Sequence, residues 1–336
     1  MSSNPRKPVL IIGGSGVVGS LAAKALRRLQ PDLPLTIGGR DLSRAQAVAR
    51  EVGLADATTV DLARPDLGQP SSRAYSAVVL FVKDDTLNSL RYAQAHGLPY
   101  LGISTSLFEV APEVALHMHQ PTRSPILLGS AWLVGAATLP ALQFAREFRA
   151  LESIAIGAVL DEQDVGGAAA YADLDRQSKA TPNTLILENG QWRWVGGDAA
   201  LRTFRDGEGQ DVQGQAYTML DPASLAAATQ AKSIRFDVAI GTSAPRRRGE
   251  PFSTEIIFEL EGTLHDGTRT RVRHELMHPE GQAPMTAVGV AVGVERLLGL
   301  AGGAPVAPGL YLPHVLIEPE YLLRRLQESG ARLRRA

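Results

Sequence analysis

The sequence predicts an α/β protein: a doubly wound parallel sheet joined to a second, largely antiparallel α+β domain. Three observations predict it. A glycine-spaced turn, Gly13-x-x-Gly16-x-x-Gly19, lies between a short apolar run and a helical pattern. Strand and helix patterns then alternate to about residue 148. Beyond about residue 150 short strands are separated by Gly-rich turns.

The first strand is Val9 to Ile12, a continuous β-branched and apolar run of the kind buried on both faces of a parallel sheet. Gly13, Gly16 and Gly19 meet three needs: a tight turn off the strand, close backbone approach to phosphate, and close helix–strand packing. The helix from about Val17 to Leu29 offers the free N–H groups of Val17, Val18 and Gly19, and its positive dipole end, to a pyrophosphate. Ser15 adds a hydroxyl. This strand–turn–helix context makes the segment a Rossmann-type dinucleotide site.

The second strand, Leu35 to Gly38, ends without the carboxylate that would bond a ribose 2′-OH. Gly39 and Arg40 stand there instead, and a guanidinium matches a 2′-phosphate bidentately. With Ser43 and Arg44 close behind, the expected cofactor is NADP(H). Thr58 to Leu62 reads as the third strand, ending near Asp61 at the position that bonds adenine in related folds. Ala77 to Val82 reads as the fourth and Tyr100 to Ser104 as the fifth, with a helix over Thr86 to Gly97 between them. Glu109 to His119 and Thr138 to Phe148 look helical. The nicotinamide lies outside the C-terminal strand ends near the switch point, where Phe81, Val82, Lys83, Asp84 and Ser104 are delivered. Lys83 and Asp84 are the candidate catalytic pair there, although Asp84 is equally placed to cap a helix.

In the second half, Ile154 to Leu160, Thr184 to Glu188, Trp192 to Val195, Ile234 to Ile240, Thr254 to Leu264 and Arg269 to Met277 read as strands. Pro222 to Gln230 reads as a helix. Tyr171, a third catalytic candidate, and Asp173 fall in an expected loop. Arg176, Lys179 and the run Arg246 to Arg248 are candidate carboxylate binders or a wet loop. Thr286 to Leu298 and Pro319 to Gly330 read as closing helices. The expected division is residues 1–148 plus about 285–336 as the cofactor domain and about 150–284 as the substrate domain.

His274-Glu275-Leu276-Met277-His278 matches the zinc-protease spacing, which works on a helix. Here it lies in the second arm of a hairpin around His265-Asp266-Gly267. The pairing sets Glu261 against Arg271, Glu259 against Arg273, Leu260 against Val272, Phe258 against His274, and Ile256 against Leu276. On such a strand the two histidines stand about 13 Å apart, so no metal site is expected.

The 336 residues carry a net charge of −1, which gives no sign of a nucleic-acid partner. The absence of cysteine excludes disulfides, thiolate catalysis and Cys-based zinc sites. No signal-peptide pattern opens the chain, and the uncharged stretch Leu127 to Ala145 is diluted by Gly, Pro and Ala, so a cytoplasmic protein without membrane contact is expected.

With these motifs in view, the chain resembles the saccharopine dehydrogenase/reductase-like oxidoreductases. Its tail fits too: Pro284-Met285-Thr286-Ala287 opens a Gly/Ala-rich helix, and Ala307 to Pro313 precedes the last one. The resemblance spans the chain, with specific motifs in the first sixty residues and the last fifty. It implies an NAD(P)-binding Rossmann domain interrupted by a substrate domain whose sheet makes a homodimer contact. It also implies hydride transfer at a C–N bond, with a small-molecule amine and 2-oxo acid as partners. Short-chain dehydrogenases share the glycine spacing but need Tyr with Lys four residues later, and no tyrosine here has that neighbour. A non-catalytic NADP-binding sensor or scaffold of the same fold is the alternative.

Overall fold

The computed structural model describes residues 6–103, 106–164 and 166–336, without the side chains of Ala168, Ala169, Tyr171, Leu174 and Ser178. Two compact units emerge. The first comprises Met1–Ser130 with Thr286–Leu316, and the second Ala131–Met285 with Ile317–Ala336. The segments 131–148 and 317–336 therefore group with the second unit, whereas the sequence reading set them with the first.

In chain order the first unit runs β1 (Val9–Ile12), α1 (Val17–Leu29), β2 (Leu35–Gly39), α2 (Leu42–Val52), β3 (Ala55–Thr59) and β4 (Ala77–Leu80). It continues through α3 (Asn88–Ala95), β5 (Tyr100–Gly102), α4 (Val110–His119) and β6 (Pro125–Leu128). The second unit contributes α5 (Thr138–Ala145), β7 (Phe148–Asp161), α6 (Ala168–Ala180), β8 (Thr184–Glu188), β9 (Gln191–Val195), β10 (Leu201–Arg205) and β11 (Asp211–Ala216). Next come α7 (Asp221–Ala228), β12 (Ser233–Gly241), α8 (Ala244–Arg247), β13 (Thr254–Leu264) and β14 (Arg269–His278). α9 (Gln282–Leu298) leads back to the first unit, followed by β15 (Gly309–Tyr311), α10 (Pro313–Leu316), α11 (Pro319–Glu328) and β16 (Arg332–Arg335).

The first sheet has the order β15-β6-β5-β4-β1-β2-β3, with every pair parallel. The chain winds outward from β1 to β3, then returns to the far side of β1 as β4. That reversal is the topological switch point, the place at which open α/β sheets commonly bind their ligands. The four residues of β1 and of β4 are all buried, as strands covered on both faces require. Leu10, Ile12, Val78, Leu80 and Ile126 join Tyr75, Tyr92 and Tyr100 in one core.

β3 departs from expectation. It spans Ala55–Thr59, because its parallel register with β2 ends at Gly39↔Thr59. Asp61 lies beyond it, exposed, with its carboxylate accepting from the Ala63 N–H at 3.0 Å.

The second sheet is mixed and largely antiparallel, with the path β10-β11-β12-β7-β13-β14-β16 and a β8–β9 hairpin off β12. The β13–β14 register pairs Glu261 with Arg271, Glu259 with Arg273, and Phe258 with His274, as the charge alternation predicted. β7 and β12 run parallel, Ser153↔Ser233 through Asp161↔Gly241. One face is covered by α5, whose Phe144 ring meets Phe258 edge-on at 5.2 Å and stacks on His274 at 3.9 Å. Across the other face fold β10 and β11, which the sequence did not reveal. A Cβ on Gly157 of β7 would lie 2.4 Å from the Phe204 ring of β10, so glycine makes the room for that phenyl group. Arg202 of β10 then bonds Asp237 of β12 at 2.6 Å and Glu259 of β13 at 2.9 Å.

Tyr171 and Asp173, expected in a loop, belong to the helix α6. Its Ala-rich sequence carries high helix propensity and no interior Gly or Pro.

Candidate functional site: a glycine turn at the sheet switch point

The turn after β1 is shaped by close contacts at Gly13 and Gly19. Gly13 adopts φ +82°, and its N–H donates to Gly38 O at 2.9 Å. A Cβ there would lie 3.0 Å from Val82 Cγ1 and 3.1 Å from Phe81 Cβ. The Gly16 N–H closes the turn onto Gly13 O at 3.0 Å. A Cβ on Gly19 would fall 2.3 Å from Gly13 O and 2.9 Å from Gly14 Cα. Glycine at position 19 is therefore what lets the first turn of α1 press onto the end of β1.

Gly39 lies on the other flank. A Cβ there would meet Ser15 Oγ at 3.2 Å. The structure thus brings the β1 turn, the β2 end at Gly39 and the β4 end at Phe81–Val82 together. The α1 N-terminus has a glycine cap without a side chain and no acidic residue in its first turn. Its leading N–H groups keep their donor capacity, and no local carboxylate opposes an anion. Val17, at the mouth of the turn, is 49% exposed.

The residues after β2 divide sharply. Arg40 is exposed, and among the described residues nothing hydrogen-bonds or ion-pairs with its guanidinium. Asp41 caps α2, accepting from Ser43 N at 2.9 Å, Ser43 Oγ at 2.7 Å and Arg44 N at 3.1 Å. The Ser43 hydroxyl bond, with the backbone donors, holds this carboxyl below its ordinary range. Ser43 is thus committed to the cap, while Arg40 is uncommitted.

Beyond β4, Lys83 Nζ lies 3.2 Å from Glu109 Oε1, both side chains about one-quarter exposed at 24%. Asp84 is buried and accepts four bonds: Thr86 N at 3.1 Å, Thr86 Oγ1 at 2.6 Å, Ser89 N at 2.8 Å and Ser89 Oγ at 2.7 Å. That arrangement secures the start of α3. Ser104 lies outside the described residues, as does the side chain of Tyr171, whose backbone is in α6.

In the second unit, Arg176 pairs with Asp173 at 2.6 Å and Lys179 with Asp175 at 2.8 Å. Arg246 pairs with Asp161 and Glu162, Arg247 with Asp206 and Glu208, and Arg248 with Glu208 and Glu250. The arginine run is thereby built into the unit's own ion pairs. His274 is buried, with Nε2 at 2.6 Å from Glu147 Oε1; burial lowers its pKa, and Glu147 opposes that shift. His278 lies in the same strand. Among the described residues no group of three or more His, Asp or Glu side chains could hold a metal ion.

One feature has no sequence signal. Leu133 and Val134 adopt left-handed conformations, φ 48° and 57°, in the turn that opens the second unit. Asp221, fully buried, holds that turn by accepting from Trp132 N at 2.7 Å and Thr138 Oγ1 at 2.5 Å. Burial pushes its pKa up, against the lowering effect of those donors.

Saccharopine dehydrogenase (L-Glu forming) from Saccharomyces cerevisiae superposes with a TM-score of 0.65 over 98% of this chain and 100% of its own, at 12% identity. This chain has the saccharopine dehydrogenase fold. GenD2 from gentamicin A biosynthesis, in complex with NAD, gives a TM-score of 0.49 at 14% identity over 100% and 98% of the two chains. A myo-inositol dehydrogenase from Corynebacterium glutamicum gives 0.46 at 13% identity over 97% and 95%. No family model and no curated protein sequence matches the chain. No helix among the described residues is long and apolar enough to cross a membrane.

Proposed function

We infer that the chain is an NADPH-dependent oxidoreductase that reduces the C=N bond of an imine formed from a small amine and a 2-oxo acid. One observation carries the cofactor assignment: Arg40, without a partner among the described residues, follows a β2 end, Gly38-Gly39, that has no carboxylate. Gly13, Gly16 and Gly19 shape the pyrophosphate cradle, and the Val17, Val18 and Gly19 N–H groups face the anion. Arg40 holds the 2′-phosphate. The closeness of Phe81 and Val82 to Gly13 favours them as the wall beneath the rest of the dinucleotide.

NADPH bound there supplies a hydride for the electrophilic carbon of the C=N bond. The chain must then deliver a proton to nitrogen and balance the substrate carboxylate. Lys83, with Glu109 beside it, is the best-placed cation and proton carrier. Asp84 is assigned to anchoring α3, because both its oxygens are filled by donors.

That same saturation favours a second reading, an NADP-binding sensor without turnover. Oxidation of NADPH across a panel of amine and 2-oxo acid pairs separates the two. Steady oxidation supports the reductase, and tight binding with no turnover on any pair supports the sensor. In either case we place the protein in the cytoplasm as a homodimer formed through the second-unit sheet, which a sedimentation mass of two chains would support.

A further inference from the structure

A cavity of about 960 Å³ lies wholly within the second unit. It exists because β10 and β11 fold across the sheet: Arg273 of β14 donates to the Arg205 and Asp206 carbonyls at 3.0 and 2.8 Å, and Arg334 of β16 donates to Gly207 O. The β10–β11 turn thus roofs a hollow over β13, β14 and β16, with α8 along one side.

The lining has two parts. Ile257, Met277 and Pro245 give it apolar surface. Five arginines and three glutamates supply the charge, a surplus of two positive charges among these side chains, while Arg335 lies on the opposite sheet face and pairs with Glu147. Two of the glutamates are spent inward. Glu255 accepts from Ala244 N and Gly207 N, both at 2.9 Å. Glu275 accepts from Arg273 at 2.8 Å and Arg334 at 2.7 Å. Both are nearly buried, at 2% and 7% exposure, so negative charge is sunk in the floor.

The guanidiniums nearer solvent are less committed. Among the described residues the Arg332 side chain makes no hydrogen bond or close ion pair, and the one carboxylate whose pKa it helps to lower, Glu250, is already held by Arg248 at 2.9 Å. Arg205 has an exposed partner, Asp211, at 3.8 Å. Such surface pairs are worth about 0–1 kcal/mol and exchange readily for a better anion.

We propose that this cavity is a second ligand site, for an organic polyanion of nucleotide size whose phosphates are gripped by Arg332 and Arg205 over the apolar lining. Guanidiniums match phosphate oxygens bidentately. The volume suits a ligand with a substantial organic body, since ligand pockets span roughly 300–1,000 Å³. Inorganic phosphate alone leaves the apolar lining wet, and an uncharged ligand strands the guanidiniums. The site shares no residue with the glycine turn and does not depend on the activity proposed above.

The test is calorimetric titration of ATP, pyrophosphate and adenosine into the full chain, into Arg205→Ala/Arg332→Ala, and into Gly19→Ala. Both arginines are exposed, so the double variant keeps the fold. ATP is expected to bind more tightly than either fragment, at least tenfold more weakly to the arginine variant, and unchanged to Gly19→Ala. Four results overturn the proposal. They are no ATP binding at millimolar concentration, loss confined to Gly19→Ala, and equal competition by sulfate, which means an adventitious ion only. The fourth is a two-chain mass that falls to one chain in the arginine variant, which assigns the cavity to a second copy.

Discussion

Replacing Gly19 by alanine tests how the dinucleotide cradle is built. The added methyl would lie 2.3 Å from Gly13 O and 2.9 Å from Gly14 Cα, and both obstacles are backbone. Ordinary contacts of this kind sit at about 3.5 Å, so the first turn of α1 must retreat by about 1 Å. Overpacking of this sort costs about 1–3 kcal/mol of stability. The retreat also withdraws the Val17 to Gly19 N–H groups from an anion. Losing about 2 kcal/mol of charge-assisted bonding weakens dinucleotide binding about 30-fold. Gly16→Ala is the comparison, because its Cβ would sit 3.2 Å from Gly13 O at an ordinary φ of −80° and needs only a slight adjustment. Titration of NADPH by nucleotide fluorescence, with thermal melts of each variant, reads both effects. Gly19→Ala that binds NADPH like the wild type would refute the reasoning, because the helix would then not need its close seat.

Three further outcomes are expected. Gly157→Ala sets a methyl 2.4 Å from Phe204 and should lower stability by about 2 kcal/mol; adding Phe204→Ala should cost less than the sum of the single changes, and strict additivity in denaturant melts would count against the fold-over of β10. Asp84→Asn leaves donors facing an amide and should cost about 1–3 kcal/mol, measured by thermal unfolding; lost turnover with unchanged stability would instead make Asp84 a proton donor. His278 is buried, Glu280 N donates to its Nδ1 at 3.1 Å, and its Nε2 lies 3.2 Å from Ser329 O, so the neutral ring satisfies both neighbours. Burial lowers its pKa below 6.5, so its contribution is complete above that value and lost as pH falls through the lower folded value. His278→Gln should flatten the melting-temperature profile below pH 6.5, and an unchanged acid slope would argue against this role.

What the sequence disclosed follows from how locally each element is specified. The β13–β14 register was legible because Glu259, Glu261, Arg271 and Arg273 alternate with apolar residues, and a one-residue slip would reverse the faces. The glycine turn was legible because its spacing answers a steric need that the contacts of Gly13 and Gly19 display. β10 and β11 were not, since Leu201–Arg205 and Asp211–Ala216 show little apolar alternation and are held by Phe204 packing over a glycine three strands away. The parallel pairing of β7 with β12 depends on long-range topology, not on local pattern. Tyr171 and Asp173 suggest a loop because the glycines before them outweigh the alanines around them, which build α6. Asp61 fell beyond β3 because partner register, not composition, ends that strand. At the candidate site, nothing in the spacing told that Ser43 is spent on Asp41 while Arg40 is left uncommitted.

The central claim is that Arg40 recognises a 2′-phosphate, and the most direct measurement is the ratio of NADPH to NADH dissociation constants in the wild type and in Arg40→Ala. A guanidinium–phosphate pair is worth about 1.5–3 kcal/mol, so the account predicts a preference for NADPH that falls about 10- to 150-fold on substitution while NADH binding barely changes. A preference that survives Arg40→Ala, or a wild type that favours NADH, contradicts it.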